Sequence, residues 1–201
     1  MKELFTIDAK NYNPLGRRIV RPSVRGICVK DGKVLLIYAP KYDYYKFAGG
    51  GLNEGESHED ALMREMREET GYIVKRETIK PYGHVLRIQK SFDDENASFV
   101  QDNFYYWCEV EEDRVQTEMD DYEADEGFTA VWEDPLKTSY YNDCHDHGGR
   151  KSYMIERDSK VMLLVYDEIR KSKGDYKYSS FAMKMWNDAV KSAGIFEESL
   201  K

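Results

Sequence analysis

The sequence predicts an α/β protein in which a mixed β-sheet lies between helices. Short runs of β-branched and aromatic residues alternate with amphipathic stretches of helical period. The 201 residues suit one domain with appendages, because a typical domain holds about 100 to 200 residues. The sequence has no evident internal repeat or low-complexity tract. One α/β core with short additions is therefore expected.

The strands are predicted from alternating patterns and from the turn signals between them. Residues 1–20 should form an extended lead-in with a turn at Asn13-Pro14-Leu15-Gly16. Asp31-Gly32 should join the next two strands as a hairpin. The predicted strands cover residues 24–29, 33–38, 44–48, 72–75, 82–89, 104–110 and 128–132.

Helical patterns return in the C-terminal part of the chain. Apolar residues at helical spacing predict helices over residues 150–171 and 179–193. The expected organisation is an N-terminal lead-in over residues 1–20, a main domain over 21–172 and a helical extension over 173–201.

Composition and charge narrow the class of function. A net charge of -8 argues against a general nucleic-acid surface, which would need a basic stripe. Cys28, Cys108 and Cys144 are too scattered for a disulfide framework or a zinc knuckle, and the first two are expected to be buried thiols. We find neither a signal-peptide core nor an apolar stretch that could span a bilayer, so a cytoplasmic protein is expected.

Three acidic residues share one turn of a helix predicted between Ser57, its N-cap, and Gly71, its C-terminal stop. Glu65, Glu68 and Glu69 stand at positions i, i+3 and i+4, so their side chains leave the helix as neighbours and repel one another. A divalent cation would relieve this repulsion.

A helical wheel strengthens that expectation. The three acids overlap the edge of the apolar side, whereas Arg64 and Arg67 are expected to project away from them. Carboxylates at the edge of a core are costly unless they are paired or bind a metal. Oxygen ligands with open coordination positions suit Mg²⁺, or alternatively Mn²⁺, shared with substrate phosphates. The alternative is an amphipathic helix whose acids are incidental.

A glycine-rich loop precedes this helix. Gly49, Gly50 and Gly51 allow close approach of the backbone, so the Gly49 carbonyl is expected to turn toward the metal. Glu56 and Arg64 are about two helical turns apart, which permits a salt bridge between the loop and the helix.

The spacing of these residues resembles the Nudix box. Gly50 is followed by five residues, Glu56, seven residues, and then Arg64-Glu65-Met66-Arg67-Glu68-Glu69-Thr70-Gly71-Tyr72. Every fixed position of the box is filled, although Tyr72 replaces the usual aliphatic residue. The resemblance covers roughly residues 20–170 and implies a Nudix-like α/β/α sandwich.

The resemblance also implies a function. Nudix enzymes hydrolyse a pyrophosphate bond in a nucleoside diphosphate linked to another group, with Mg²⁺ as cofactor and a small nucleotide as substrate. The implied metal ligands are Glu65, Glu68, Glu69 and the Gly49 carbonyl, and Arg64 belongs with them to the catalytic group. Gly50, Glu56 and Gly71 then hold the box in shape.

Further candidates lie outside the box. The acidic stretch over residues 113–126 is expected to add a carboxylate, as metal ligand or general base, with Glu123 preferred over Glu126; a solvated acidic loop is the alternative. Arg87 and Lys90 are candidates for contacts with substrate phosphates, and surface charges are their alternative. Tyr45 could stack on a nucleobase, or it could belong to an aromatic edge strand.

The substrate and two other functions stay open. The proline and the tyrosine that mark two substrate classes among such enzymes are absent from Leu86-Arg87-Ile88-Gln89-Lys90. The chain could instead be a catalytically silent nucleotide sensor, which the complete box argues against, or a pyrophosphatase that removes oxidised nucleoside triphosphates. No nucleic-acid or membrane partner is expected, and a homodimer is left open.

Overall fold

The computed structural model of the protein describes residues 1–148 and 153–174. The strands are β1 (Glu3–Asp8), β2 (Arg17–Val20), β3 (Ser23–Ile27), β4 (Val29–Lys30), β5 (Lys33–Ala39), β6 (Tyr44–Lys46), β7 (Tyr72–Val74), β8 (Lys80–Lys90), β9 (Ala97–Trp107), β10 (Val110–Arg114) and β11 (Thr129–Glu133). The helices are α1 (His58–Thr70), α2 (Asp121–Glu126), α3 (Pro135–Cys144) and α4 (Tyr153–Ser172), and a short 3₁₀ turn covers Arg76–Thr78.

The strands form a five-stranded sheet, a four-stranded sheet and a two-stranded ribbon within the described residues. The first sheet has the order β1-β8-β9-β2, with β3 also paired to β9, and the second has the order β11-β5-β4, with β6 also paired to β5. Strand β3 runs parallel to β9, with Arg25 beside Tyr105. Strand β8 runs antiparallel to β9, with Arg87 beside Gln101. The sheet is therefore mixed, as predicted.

Apolar side chains cover both faces of these sheets. Along β5, Leu35 and Ile37 belong to one core cluster and Val34 and Leu36 to the other, because successive side chains point to opposite faces. The first cluster includes the α1 residues Ala61, Leu62 and Met66, and the second includes the α4 residues Val161, Met162, Val165 and Ile169. The predicted α/β/α sandwich is thus confirmed.

Helix α1 has the ends that the sequence predicts. The Ser57 hydroxyl accepts a hydrogen bond from the Asp60 amide at 3.1 Å and caps the first turn. Gly71 adopts the left-handed conformation with φ 72°, and its amide donates to the Arg67 carbonyl at 2.9 Å. Both predictions concerning the helix ends are confirmed.

Other predicted elements need correction. Residues 1–20 are more than a lead-in, because β1 pairs in parallel with β8 and β2 with β9. The strand predicted over residues 104–110 ends at Trp107, and the chain resumes as β10 beside β7. The acidic stretch contains helix α2, which a capping box between Asp120 and Glu123 starts.

The C-terminal prediction is partly confirmed. Helix α4 covers most of the helix predicted over residues 150–171, whereas the one predicted over residues 179–193 lies outside the described residues. Helix α3 was missed, although Asp134 caps it by accepting from the Lys137 amide at 2.9 Å and Pro135 occupies its first turn. None of the described helices is long and apolar enough to cross a membrane.

The predicted burial of two cysteines is confirmed. Cys28 and Cys108 are free thiols in the core, with their Sγ atoms 3.3 Å apart. They follow the last paired residues of β3 and β9, so the parallel register brings them together.

Close packing of α1 on β3 gives a stability prediction. A Cβ atom added at Gly26 would lie 2.5 Å from the Met66 Sδ atom, so Gly26→Ala should lower the free energy of unfolding by about 1–3 kcal/mol through overpacking. Chemical denaturation measures this loss. A double-mutant cycle is the control, because Met66→Ala removes the obstructing atoms and should make Gly26→Ala less costly. An equal cost in both backgrounds would contradict the assigned contact.

Candidate functional site

The glycine loop lies directly against helix α1. Gly49 has φ 132°, and a Cβ atom there would collide with the Val24 carbonyl. A Cβ atom at Gly50 would collide with the Glu65 carboxylate. The Gly49 amide donates to Glu69 Oε2 at 2.8 Å. A side chain at Gly49 would therefore force the loop away from β3, and one at Gly50 would force it away from the acidic turn.

Arg64 contacts the acidic residues, although the helical wheel predicted that it would project away from them. Its Nη1 atom donates to Glu65 Oε1 at 2.7 Å and to Glu68 Oε2 at 3.0 Å. The expectation that Arg64 projects away is therefore wrong, because its long side chain reaches an acid four residues ahead along the helix. Arg67 does point elsewhere and pairs with Glu118.

The predicted salt bridge between Glu56 and Arg64 is confirmed. The Nε and Nη2 atoms of Arg64 donate to the two Glu56 oxygens at 2.8 and 2.9 Å. Nη2 also donates to the Gly51 carbonyl at 3.0 Å. This bidentate pairing fixes the guanidinium between the loop and the helix.

A buried lysine completes the acidic site, and sequence reasoning missed it. Lys46 Nζ lies 2.6 Å from Glu69 Oε1, and the two side chains are only 5% and 1% exposed. The same ammonium lies 4.4 Å from the centre of the Phe128 ring. Alternation along β6 could have indicated Lys46, because Tyr44 and Ala48 on the same side belong to the core beneath α1.

Glu123 lies buried within electrostatic reach of Glu69. Burial, and then the Glu69 charge, raise the pKa of the Glu123 carboxyl. Its oxygens accept hydrogen bonds from the Tyr122 hydroxyl at 2.8 Å and from the Asp120 amide at 2.9 Å. Glu126 is also buried and accepts from the Tyr44 hydroxyl at 2.9 Å. The alternative of a solvated acidic loop is therefore wrong for both residues.

The acidic site retains negative charge. Burial raises the pKa of Glu65, although the hydrogen bond and charge of Arg64 act in the opposite direction. The acids of this site are Glu56, Glu65, Glu68, Glu69 and Glu123. Among the described residues, Arg64 and Lys46 are the cations that form ion pairs with them, so the acids outnumber the paired cations.

These residues fit a hard divalent cation in charge and donor type. In the part of the chain that the structure describes, His, Cys, Asp and Glu side chains form no ready-made group of three or more around a metal position. Arg64 Nη1 instead lies where Glu65 and Glu68 converge. A divalent cation would replace this contact, while Glu56 keeps the guanidinium anchored.

Two other predicted residues, Tyr45 and Lys90, lie apart from the acids. Tyr45 packs with Tyr38 and Tyr141, with ring centres 4.8 and 5.4 Å away. It therefore belongs to a tyrosine cluster on the side of β6 opposite Lys46. Lys90 ends β8 and pairs with Glu95 at 3.1 Å. The roles predicted for them in substrate binding gain no support from this placement.

Arg87 has a different environment. It lies half-buried on the α4 side of β8, where its Nη2 atom donates to Gln101 Oε1 at 2.7 Å. The Phe99 ring lies 5.6 Å from its guanidinium carbon. The predicted role of Arg87 in phosphate binding stays a prediction.

Comparison with known proteins finds matches to the same family from a family model and from a curated relative. The family model described as NUDIX domain matches residues 20–153. The chain is 30% identical over 95 residues to "Uncharacterized Nudix hydrolase YvcI" of Bacillus subtilis (strain 168), a match that covers 40% of this chain and 60% of that protein. It is 35% identical over 95 residues to "ADP-ribose pyrophosphatase" of Methanocaldococcus jannaschii, covering 40% of this chain and 54% of that protein. The chain thus spans between half and two thirds of the curated relatives it matches.

A solved structure shows the same fold. The NUDIX hydrolase from Nitrosomonas europaea matches with a TM-score of 0.51 at 16% sequence identity, over 73% of this chain and 90% of that chain. This similarity concerns the fold, because the sequence identity is low.

The burial of Glu123 predicts a gain in stability when its charge is removed. Because the pKa of Glu123 is raised in the folded state, the ionised carboxyl destabilises the fold above that pKa, and the penalty disappears as the pH falls toward the unfolded value of about 4.3. Glu123→Gln should therefore raise the melting temperature of the metal-free protein at neutral pH but not at pH 4.

Melting curves in chelator between pH 4 and 8 measure this difference. Glu112→Gln, at an exposed position of β10, is the control and should change little. A lower melting temperature for Glu123→Gln at neutral pH would contradict the assigned environment.

Proposed function

The chain belongs to the Nudix family, and from this we propose that it hydrolyses the pyrophosphate bond of a nucleoside diphosphate linked to another group. The observation that carries the proposal is that Glu65 and Glu69 lie against the glycine loop, with Glu123 within electrostatic reach of Glu69 and with more acids than paired cations. The relative named ADP-ribose pyrophosphatase supports the same class of reaction.

The proposed cofactor is Mg²⁺, with Mn²⁺ as the alternative. Glu65, Glu68, Glu69 and the Gly49 carbonyl would hold it, because oxygen donors with surplus negative charge suit a hard cation. When bound, the cation supplies Lewis-acid neutralisation of the pyrophosphate oxygens. Anchored by Glu56, Arg64 stays beside the helix and limits the repulsion between the acids.

Residues of the chain accept the proton of the attacking water and hold the accepting carboxylate in place. A water oxygen attacks one phosphorus, the bond from that phosphorus to the bridging oxygen breaks, and the second phosphate leaves with the bonding electrons. The proton of the attacking water passes to a carboxylate. Glu65 and Glu123 are the candidates, since a raised pKa brings a carboxylate closer to the optimum for a general base. Tyr122 and Asp120 hold Glu123 in one orientation.

A substrate screen tests the proposed function directly. Nucleotide sugars, ADP-ribose, dinucleoside polyphosphates and oxidised nucleoside triphosphates are incubated with Mg²⁺, and phosphate release is measured after coupling to a phosphatase. Turnover of any of them contradicts the silent sensor. Preference for the oxidised triphosphates would favour the clean-up alternative, and no turnover at all would overturn the proposal.

Glu68→Gln should abolish most of this activity. The variant loses one negative charge beside Glu65, which weakens cation binding and transition-state stabilisation, so kcat should fall by about a hundredfold or more. Glu59→Gln, on the exposed first turn of the same helix, is the matched control and should keep wild-type kcat. Near wild-type turnover of Glu68→Gln at saturating Mg²⁺ would overturn the assigned site.

A paired comparison locates the general base. If Glu123 accepts the proton, Glu123→Gln should lower kcat by about a hundredfold or more with little change in KM. Glu126→Gln, which removes a charge from the same helix, should have a much smaller effect. Wild-type kcat for both variants would place the base among the box acids and exclude Glu123.

A further inference from the structure

Three arginines form a buried cluster on the face of the sheet opposite α1. Arg25 of β3 and Arg87 of β8 flank β9, and Arg157 approaches from α4. Residues Asn103 and Tyr105 of β9 point to the same face and contact Arg157 or Asp158. Arg25 is 6% exposed and Arg157 is 0% exposed. Such burial is unusual for arginine unless its charge is compensated.

Asp158 is the acid that pairs with Arg157. The Arg157 Nε atom donates to Asp158 Oδ1 at 2.8 Å, and the Tyr105 hydroxyl donates to the same oxygen at 2.7 Å. The Phe47 amide donates to Asp158 Oδ2 at 3.1 Å. Burial alone would raise the pKa of Asp158, but the charge of Arg157 lowers it, so the carboxyl is ionised. Asp158 compensates Arg157, whose pKa is raised despite burial, but it does not compensate Arg87, whose pKa is lowered.

The remaining acceptors in this cluster are also used. Asn103 Oδ1 accepts from the Ser23 hydroxyl at 2.8 Å and from Arg157 Nη1. Gln101 Oε1 accepts from Arg87. These neutral groups satisfy single N–H bonds but add no negative charge.

Several guanidinium N–H groups are left over. Among the described residues, Arg25 Nε and Nη1, Arg87 Nε and Arg157 Nη2 are buried without a hydrogen-bond partner. Burial, followed by the charges of Arg157 and Arg25, lowers the pKa of Arg87 to about 9. Buried structural networks are normally satisfied, because each unmade bond to a charged group is costly. These N–H groups are donors that a bound anion would satisfy.

The cluster lies next to the acidic site. Phe47 contacts Asp158 through its amide, and Gly49, two residues later, contacts Glu69 through its amide. Two residues of extended chain span at most about 7 Å. The positive charge of Arg25 acts on Asp158 and on Glu65. A ligand held by the acids through a cation could therefore extend to the arginines.

We propose that Arg25, Arg87 and Arg157 bind a phosphate group of the substrate beyond the two phosphates joined by the scissile bond. This inference rests on the proposed function and narrows its substrate class. Guanidinium groups match phosphate because their planar N–H forks bind two oxygens at once. The substrate is then a nucleoside diphosphate whose linked group carries additional phosphate, as in a dinucleoside polyphosphate, and not one linked to a neutral sugar.

Metal-free binding of inorganic pyrophosphate tests the anion site alone. Melting curves and titration calorimetry of the full chain are recorded in chelator, at constant ionic strength to remove general salt effects. Wild type should bind and melt at a higher temperature. Arg87→Gln, at a half-buried position, should bind about tenfold or more weakly, whereas Arg18→Gln on exposed β2 should match wild type.

The anion-free melting temperature separates a ligand role from a structural one. If the cluster holds uncompensated charge, Arg87→Gln should melt at a higher temperature than wild type when no anion is present. Pyrophosphate should then no longer raise the melting temperature of this variant. A structural Arg87 would give the opposite: a lower melting temperature and an unchanged response to pyrophosphate. If Arg157→Met folds, it should show the same loss of pyrophosphate binding. If Arg157→Met does not fold, Arg87→Gln alone decides between the ligand role and the structural role.

Activity measurements on two matched substrates give a second test of the anion site. A dinucleoside diphosphate and a dinucleoside tetraphosphate share the same nucleosides and differ in phosphate number. Arg87→Gln should lower kcat/KM about tenfold for the tetraphosphate and little for the diphosphate. If Arg87→Gln lowers kcat/KM equally for both substrates and still binds pyrophosphate like wild type, the anion site is overturned and the proposed hydrolysis stands. Binding of pyrophosphate without turnover of any substrate overturns the hydrolysis and supports the anion site.

Discussion

The buried Glu69 carboxylate joins the three parts of the acidic site. It pairs with Lys46 of β6 at 2.6 Å, accepts from the Gly49 amide of the loop at 2.8 Å, and belongs to α1. Loss of one partner from a buried ion pair typically costs about 3–5 kcal/mol, because the other charge stays desolvated. The Gly49 amide bond to Glu69, together with backbone hydrogen bonds to β3, holds the loop in its position on α1. That position brings the Gly51 carbonyl to Arg64 and leaves room for the Glu65 carboxylate beside Gly50.

Local signals made α1 and its loop predictable from sequence. The cap at Ser57, the stop at Gly71 and the spacing of the acids act within a few residues, so no tertiary information was needed. The direction of Arg64 was not predictable, because a helical wheel gives the direction of Cβ and not the reach of a long side chain. Helix α3 was missed since its sequence lacks a clear apolar stripe, although Asp134-Pro135 signals its start.

Non-local pairing explains the other errors. The parallel pairing of β1 with β8 joins residues about eighty positions apart, and nothing in the first twenty residues specifies that partner. The same limit applies to the arginine cluster, whose members come from β3, β8 and α4. Ser23 and Arg25 are polar residues on the same side of β3, yet both are buried in the folded chain. Only the register of β3 and β8 on β9 brings Arg25 and Arg87 to the same side.

The two clusters have opposite charge and are joined by the same short segment of loop. The acidic cluster repels phosphate unless a cation is bound, whereas the arginine cluster attracts phosphate in every state of the protein. Because Phe47 contacts Asp158 and Gly49 contacts Glu69, a shift of the loop would disturb both clusters together. A ligand that carries phosphate along its length, with a cation at one end, compensates both. An anion at the arginines alone leaves the surplus charge of the acids in place, and a cation alone leaves several buried guanidinium N–H groups without an acceptor among the described residues. The charge pattern thus favours a cation and a polyphosphate bound together.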